Sequence, residues 1–421
     1  MRVAIVAEVY LPKVDGVVMR TMNLIDCLLK RGDEVLVVCP EVPRRGESPV
    51  PLVEFPSFPF PDYPEYRIGL PDARLPKALQ DFGPDVVHYL NPFAFGFRCH
   101  DVVRKAKLDL PSVFSFHTLY GEFVKQYPFL SPLSPVLWWL TKQYHNRADA
   151  NLTVSTVMRD DLTDRGFERV HLWPPAVDSE LFRPDRATAA MREHLSGGRP
   201  DGPLLLTVSR LAPEKNVEFL AEVLRQTPEA RLAVVGDGPQ RAELERRFEG
   251  TNANFVGYKR GEELAEAYAS ADAFVYASET ETLGNVILEA MASGLSVVAP
   301  RAGGIPSMVE EGETGLLFNP GDTADAVAKL AAVLQDDDFR TEMGQKAFEA
   351  ASGQSWENSA DRVREYYQKA AEAHRNGDGA LQLRGGLAQA TIDSLVLAYR
   401  AMSWAQQGKE PAVQPSESRP N

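Results

Sequence analysis

Ser278 to Pro306 reads SETETLGNVILEAMASGLSVVAPRAGGIP and holds one unit of an α/β repeat. A polar loop leads into Leu283 to Ala292, whose apolar spacing predicts a helix with Gly284 in its first turn. The run SVVAP then predicts a buried strand, and Gly303 and Gly304 follow it. Small residues on both sides of the helix let a ligand or a second backbone approach closely.

The same alternation extends in both directions. PLLLTVSR, ARLAVVGDGP, ANFVGY and DAFVYAS are strand-like runs upstream, each followed by a helical or turn segment. An earlier series comprises RVAIVAEV, EVLVVCP, PDVVHYL, PSVFSFH and DANLTVS, with a helix expected from about Val17 to Lys30. Such alternation predicts βαβ units and parallel sheets buried on both faces. Between the series lies DRATAAMREHLSGGRPDGP, polar and rich in glycine and proline, which reads as a break. The expected class is α/β, with Rossmann-like domains over residues 1–185 and 186–355. Residues 356–375 read as a helix returning to the N-terminal domain. Residues 376–421 read as a linker, an amphipathic helix from about Leu387 to Gln407 and a disordered tail. Two doubly wound domains put their ligands at the carboxyl ends of the strands, so the chemistry is expected in a cleft between them.

A chain of 421 residues is long enough for two full cores. Its formal charge of −14 disfavours nucleic acid as a partner. Residues 1–185 carry 21 basic against 24 acidic residues, so most of the negative charge lies further on, and the near-neutral first half can meet a bilayer locally. Cys27, Cys39 and Cys99 are widely spaced in apolar runs, which suggests neither a disulfide framework nor a zinc site and fits a reducing cytosol. Arg2 runs directly into strand-like residues without the apolar stretch of a signal peptide, and no run of about 18 apolar residues predicts a membrane span.

Several residue groups could carry chemistry. Glu281 and Glu289 flank a helix start, where unpaired N–H groups and the dipole favour a pyrophosphate. The plainer reading makes them a helix-start preference and a solvated face charge. In VSRLAPEKN, Arg210 and Lys215 follow a strand and could neutralise a diphosphate, or could form an ordinary basic loop. GDGP, Gly236 to Pro239, reads as a tight turn. Asp15 and Gly16 lie between the first strand and its helix, a phosphate-loop position with a weak signal. His117 closes PSVFSFH at the carboxyl end of its strand, while His88 in DVVHYL carries less. For a membrane surface the candidates are NPFAFGF, residues 91–97, and PVLWWLTKQYHNR, residues 135–147, where Trp138 and Trp139 accompany Lys142 and Arg147. A helix with two core tryptophans is the plainer explanation of the second, since two aromatic residues in a domain of this size can simply pack.

The pattern from Glu281 through Glu289 resembles the paired-glutamate motif of GT-B retaining glycosyltransferases. The likeness covers about residues 1–370 and includes GDGP, SRLAPEKN, the Asp15-Gly16 loop, His117 and AGGIP. Within that group SETETLGNVILEAMASGL, RAGGIP, TGLLFNPGD and HLWPPAVDSELFRP are most similar to sulfoquinovosyl-diacylglycerol synthases and related bacterial lipid glycosyltransferases. The resemblance implies the GT-B fold, two Rossmann-like doubly wound domains facing across a cleft. It implies retaining, metal-independent transfer of a hexose-type sugar from a UDP-sugar to a lipid acceptor such as diacylglycerol, by a cytoplasmic chain touching the inner face of the membrane. Arg210 and Lys215 would bind the diphosphate, Glu281 the donor sugar and Glu289 the ribose. His117 would sit near the reacting carbon, with Gly16, Leu283, Gly284 and Asn285 completing the donor site. No cofactor is implied, since the nucleotide sugar is a substrate.

The chain departs from the pattern at two points. Asp15 stands where many relatives have the first of two glycines, and His117-Thr118-Leu119-Tyr120 lacks a second histidine. Two other readings stay open: a GDP-mannose-dependent mannosyltransferase, and a nucleotide-sugar-binding protein without turnover. The sugar, the base, the acceptor and the oligomeric state are not legible in the sequence.

Overall fold

The computed structural model describes residues 1–13, 15–43, 47–60, 63–118 and 131–377. They form two compact units. The first comprises residues 1–151, 167–169 and those from 367 on; the second comprises 152–166 and 170–366.

The first unit opens with β1 (Arg2–Ala7), α1 (Gly16–Lys30) and β2 (Glu34–Pro40). Next come β3 (Leu52–Phe55), β4 (Ser57–Phe60), β5 (Tyr63–Gly69) and α2 (Arg74–Phe82). The series continues with β6 (Val86–Leu90), α3 (Ala94–Lys105), β7 (Ser112–Phe116), α4 (Ser134–His145) and β8 (Ala150–Thr153), and is followed by α5 (Thr156–Asp164) and β9 (Val170–Leu172), whose residues are assigned to the second unit. Seven of the strands make one sheet in the order β3-β2-β1-β6-β7-β8-β9, with β1 parallel to both β2 and β6. β6 and β7 are wholly buried and β1 is buried after Arg2, which is why these runs are apolar without alternation. An antiparallel hairpin, β4-β5, is a feature that the sequence pattern did not disclose.

Helix α1 begins where Asp15 accepts hydrogen bonds from the N–H groups of Val17 (3.0 Å) and Val18 (2.9 Å). It buries Val18, Thr21, Leu24, Ile25 and Leu28, a stripe of helical period. The start of α3 is capped from another element. Glu8, just past β1, accepts from the N–H groups of Phe93, Phe95 and Gly96, each at 2.9 Å, and from the Tyr66 hydroxyl at 2.8 Å. Burial pushes this carboxyl up in pKa while those four donors pull it down.

NPFAFGF is therefore not a membrane surface: it forms the start of α3, and Phe95 and Phe97 are core residues. Arg147 also falls outside the expected amphipathic face, since its guanidinium is buried over the Tyr144 ring. All three cysteines are buried and none is in a disulfide.

The second unit continues with α6 (Ala189–Leu195), inside the stretch that reads as a break, and β10 (Leu204–Val208). Then come α7 (Phe219–Arg225), β11 (Arg231–Val235), α8 (Arg241–Arg247), β12 (Ala253–Gly257), α9 (Gly261–Ala269) and β13 (Ala273–Val275). It ends with α10 (Asn285–Ala292), β14 (Ser296–Pro300), β15 (Gly315–Phe318), α11 (Thr323–Gln335), α12 (Asp337–Ser352) and α13 (Trp356–Arg375), the last helix crossing into the residues of the first unit at Tyr367. Six parallel strands run β12-β11-β10-β13-β14-β15, so the order reverses between β10 and β13. Loops leaving the carboxyl ends of those two strands meet at that switch point, where doubly wound sheets bind ligands. Both units are thus Rossmann-like, as the GT-B fold requires. The expected helix at 387–407 lies outside the described residues.

Four buried histidines belong to the first unit. Burial holds His88, His100 and His145 at pKa values of about 3 and His117 well below 6.5. They stay neutral in the fold, whereas the unfolded chain takes up protons near pH 6.5. Stability is therefore full above pH 6.5 and is lost as pH falls toward 3, by up to ~1.4 kcal/mol per pH unit for each imidazole. His100 lies edge-on to Tyr89, Phe114 and Tyr144, and its Nδ1 has no hydrogen-bond partner among the described residues. Thermal melts between pH 7 and 5 should show a falling Tm, and His100→Phe should make that fall shallower. An unchanged slope in the variant would refute the assignment.

Candidate functional site

The loop after β10 contains Arg210 and a 3-10 turn, Pro213–Lys215. The loop after β13 carries Ser278 to Gly284. The two are tied together: the hydroxyls of Ser278 (3.1 Å) and Thr280 (3.2 Å) donate to the Glu214 carbonyl. Each loop is also braced by a glycine turn behind it. A Cβ on Gly236 would collide with the Ser209 carbonyl, and Cβ atoms on Gly303 and Gly304 would collide with the carbonyls of Glu281 and Thr282. The Gly304 N–H donates to the Glu281 carbonyl at 2.7 Å. GDGP and AGGIP are therefore struts that hold the loops after β10 and β13 by backbone contact.

Glu281 is the hub. Its Oε1 accepts from Lys215 Nζ at 2.5 Å and from the Tyr276 hydroxyl at 2.6 Å. Burial raises its pKa, but the Lys215 ammonium and the hydrogen bonds from Lys215 and Tyr276 outweigh that, and the net shift is downward. Glu281 is a fixed anion. Arg210 pairs with Glu214 and is about half exposed, so its guanidinium can turn toward an incoming anion.

Glu289 lies on α10 and behaves differently. Its Oε2 accepts from the Tyr268 hydroxyl at 2.9 Å, and burial without a cation raises its pKa to about 7, a shift that the hydrogen bond only partly opposes. The two tyrosines share a neighbour, Phe274, with ring centroids 5.8 Å from each. This aromatic row holds the hydroxyls beneath the two glutamates at a fixed spacing.

Between the carboxylates is the start of α10. Its N-cap is Gly284, in a left-handed conformation at φ 86° and with no side chain to bond the helix N–H groups; the helix begins at Asn285, not at Leu283. The Asn285 Oδ1 is buried and accepts no hydrogen bond from the described residues. Leu283 is buried. A helix start without a side-chain cap, next to two cations, suits a diphosphate. By contrast, α1 and α3 in the first unit are already closed by Asp15 and Glu8.

Arg210, Lys215, Glu281, Leu283, Gly284, Asn285 and Glu289 thus share the switch point of the second unit. Gly16 and His117 belong to the first. Gly16 is an exposed first residue of α1. His117 is 7 % exposed, its backbone N–H donates to Asn91 Oδ1 at 3.0 Å, and its Nε2 is 3.2 Å from Ser115 Oγ. Tyr268 and Tyr276 were missed in the sequence, where neither was singled out; only their positions, one on the helix before β13 and one just after the strand, offered a hint. Among the described residues no group of three His, Cys, Asp or Glu side chains could hold a metal.

The Glu289 titration makes a sign-specific prediction. A carboxyl raised to about 7 binds its proton in the folded state between pH 4.5 and 7, so its contribution to stability falls as pH rises through that window. Glu289→Gln should therefore gain in Tm relative to the parent from pH 5 to 7 and level off above. A difference that is independent of pH would show that Glu289 is ionised throughout.

Comparison with known proteins accords with this geometry. The pattern described as Glycosyl transferases group 1 matches residues 194–350, and that of Glycosyltransferase Family 4 matches 14–181. The chain is 38 % identical over 367 residues to sulfoquinovosyl transferase SQD2 of Arabidopsis thaliana, covering 85 % of this chain and 71 % of that one. It is 40 % identical over 327 residues to a GDP-mannose-dependent alpha-mannosyltransferase of Mycolicibacterium smegmatis, covering 76 % and 84 %. Among solved structures, the sucrose-phosphate synthase of Thermosynechococcus elongatus has the same fold, with a TM-score of 0.71 at 22 % identity over 88 % of this chain and 99 % of that one. With the fold, the switch-point loops and these matches in agreement, the chain belongs to the group 1 glycosyl transferases of the GT-B fold.

Proposed function

We propose that the enzyme moves a hexose from a UDP-sugar to a lipid acceptor, with retention of configuration and without a metal. The observation that carries this reading is the cluster of Lys215, Glu281 and Tyr276 beside the start of α10. It offers a diphosphate the Lys215 ammonium and uncapped helix N–H groups, with Arg210 on the same loop as Lys215, and it offers sugar hydroxyls a fixed carboxylate. In this reading Glu289 accepts from the ribose hydroxyls, and Asn285, Leu283, Gly284 and Gly16 line the donor. His117 bonds the sugar near its reacting carbon.

The anomeric carbon exchanges its bond to the diphosphate oxygen for one to the acceptor oxygen. The acceptor proton passes to the departing diphosphate on the same face. Arg210 and Lys215 offset the charge that builds on the leaving group.

A lipid acceptor is supported by the relatives. One of them, 28 % identical over 76 % of this chain, is the alpha-monoglucosyldiacylglycerol synthase of Acholeplasma laidlawii. No helix among the described residues is long and apolar enough to cross a membrane, so contact with a bilayer would be peripheral. In α4 and the turn before it, Leu133, Val136 and Trp139 recur three apart and are exposed, while Leu137 and Leu140 are buried and Trp138 lies edge-on to Phe167. The surface candidate narrows to that stripe, on the inner face of the membrane. A second reading, with GDP-mannose as donor, is favoured by the 40 % identity to the mycobacterial mannosyltransferase.

Two measurements test these statements. A melting panel with UDP-glucose, UDP-sulfoquinovose and GDP-mannose in EDTA should give its largest stabilisation with a UDP-sugar, and Lys215→Ala should lower transfer on the order of 10²-fold. Preference for GDP-mannose would select the second reading. In sedimentation with anionic vesicles, the double variant Val136→Ser, Trp139→Ala should reduce the bound fraction at least about threefold while donor binding is kept. Equal sedimentation would remove α4 from the membrane surface.

A further inference from the structure

A chain of buried polar groups runs through the first unit to His117. The Tyr367 hydroxyl, on α13, is 2.7 Å from His88 Nδ1, a contact between residues 279 positions apart. His88 Nε2 is 2.9 Å from Ser115 Oγ, which is 3.2 Å from His117 Nε2. Tyr367, His88 and Ser115 have no solvent exposure. Nothing in the proposed transfer uses His88 or Tyr367, yet a polar group left without a partner in such a place is costly.

Proton counting gives the chain a direction. Among the described residues, the only hydrogen-bond partner of the Tyr367 hydroxyl is His88, so the phenol donates its one proton to Nδ1. A neutral His88 must then carry its own proton on Nε2 and donate it to Ser115 Oγ. The serine proton is left for His117 Nε2. A neutral His117 with Nε2 accepting has its hydrogen on Nδ1. Without Tyr367 the whole sequence could reverse, because each imidazole can exchange its tautomer.

We propose that Tyr367, His88 and Ser115 are positioning residues that fix His117 as the Nδ1–H tautomer, so that His117 presents a hydrogen-bond donor to an oxygen of the sugar nucleotide. The inference rests on the reading that His117 contacts the donor, and it deepens that reading by stating which nitrogen bears the proton. It makes His117 an orienting donor and not a base.

The test uses the full chain labelled with 15N-histidine, in which long-range 1H–15N spectra report the tautomer of each imidazole. His117 should appear as Nδ1–H in the parent protein. Tyr367→Phe, which removes one oxygen and keeps the ring, should shift His117 to a mixture, and Ser115→Ala should do so more completely. In transfer assays both variants should lower kcat about tenfold with the donor KM within twofold, and Ser115→Thr, which keeps a hydroxyl, should recover most of the loss. A parent His117 protonated on Nε2, or one unchanged in both variants, overturns the relay. His117→Ala separates the two ideas: normal transfer in that variant sinks the donor contact, whereas the tautomer spectra judge the relay by themselves.

Discussion

The ion pair between Lys215 and Glu281 joins the loop after β10 to the loop after β13, across the point where the strand order reverses. Two glycine turns and a tyrosine hold that pair in place. The glycine turns leave no room for the loops to retreat, and Tyr276 fixes the carboxylate from below. A cation already held by a carboxylate has lost its side-chain freedom before ligand arrives, so less entropy is lost when it binds a phosphate. In the proposed reading the pair also restrains Lys215 from neutralising the ligand completely, which suits a site that would hold a diphosphate and later release it.

The two glutamates show how one motif produces two electrostatic environments. Glu281 has a lysine and stays charged, whereas Glu289 has only a phenol and sits near neutrality in its titration. Their tyrosines, linked through Phe274, make the difference a property of the packed core. In the first unit the same physics works in the opposite sense. Asp15 and Glu8 satisfy the starts of α1 and α3 internally, and an anionic ligand gains less there than at the start of α10.

Strand runs such as VVHYL and LLLTV were legible in the sequence because both faces of a parallel sheet are buried. The paired glutamates were legible because their spacing and small neighbours are unusual together. The hairpin β4-β5 escaped because its residues, SFPF and YPEYRIG, carry prolines and no clear alternation. NPFAFGF misled because aromatic residues at a helix start look alike whether they meet lipid or a core, and only Glu8, more than 80 residues away, decides the matter. The partners of His117 could not be read at all. Tyr367 and His88 meet through the fold, and nothing local to either marks the other.

All three cysteines, at 27, 39 and 99, lie in the first unit, and the second has none. Each thiol is shielded by packed side chains, and burial raises Cys99 well above its ordinary pKa. A thiolate-seeking reagent therefore meets no ready target in the native chain. Its rate of uptake would record the opening of one unit alone, giving a natural clock for that half of the molecule without any engineered label.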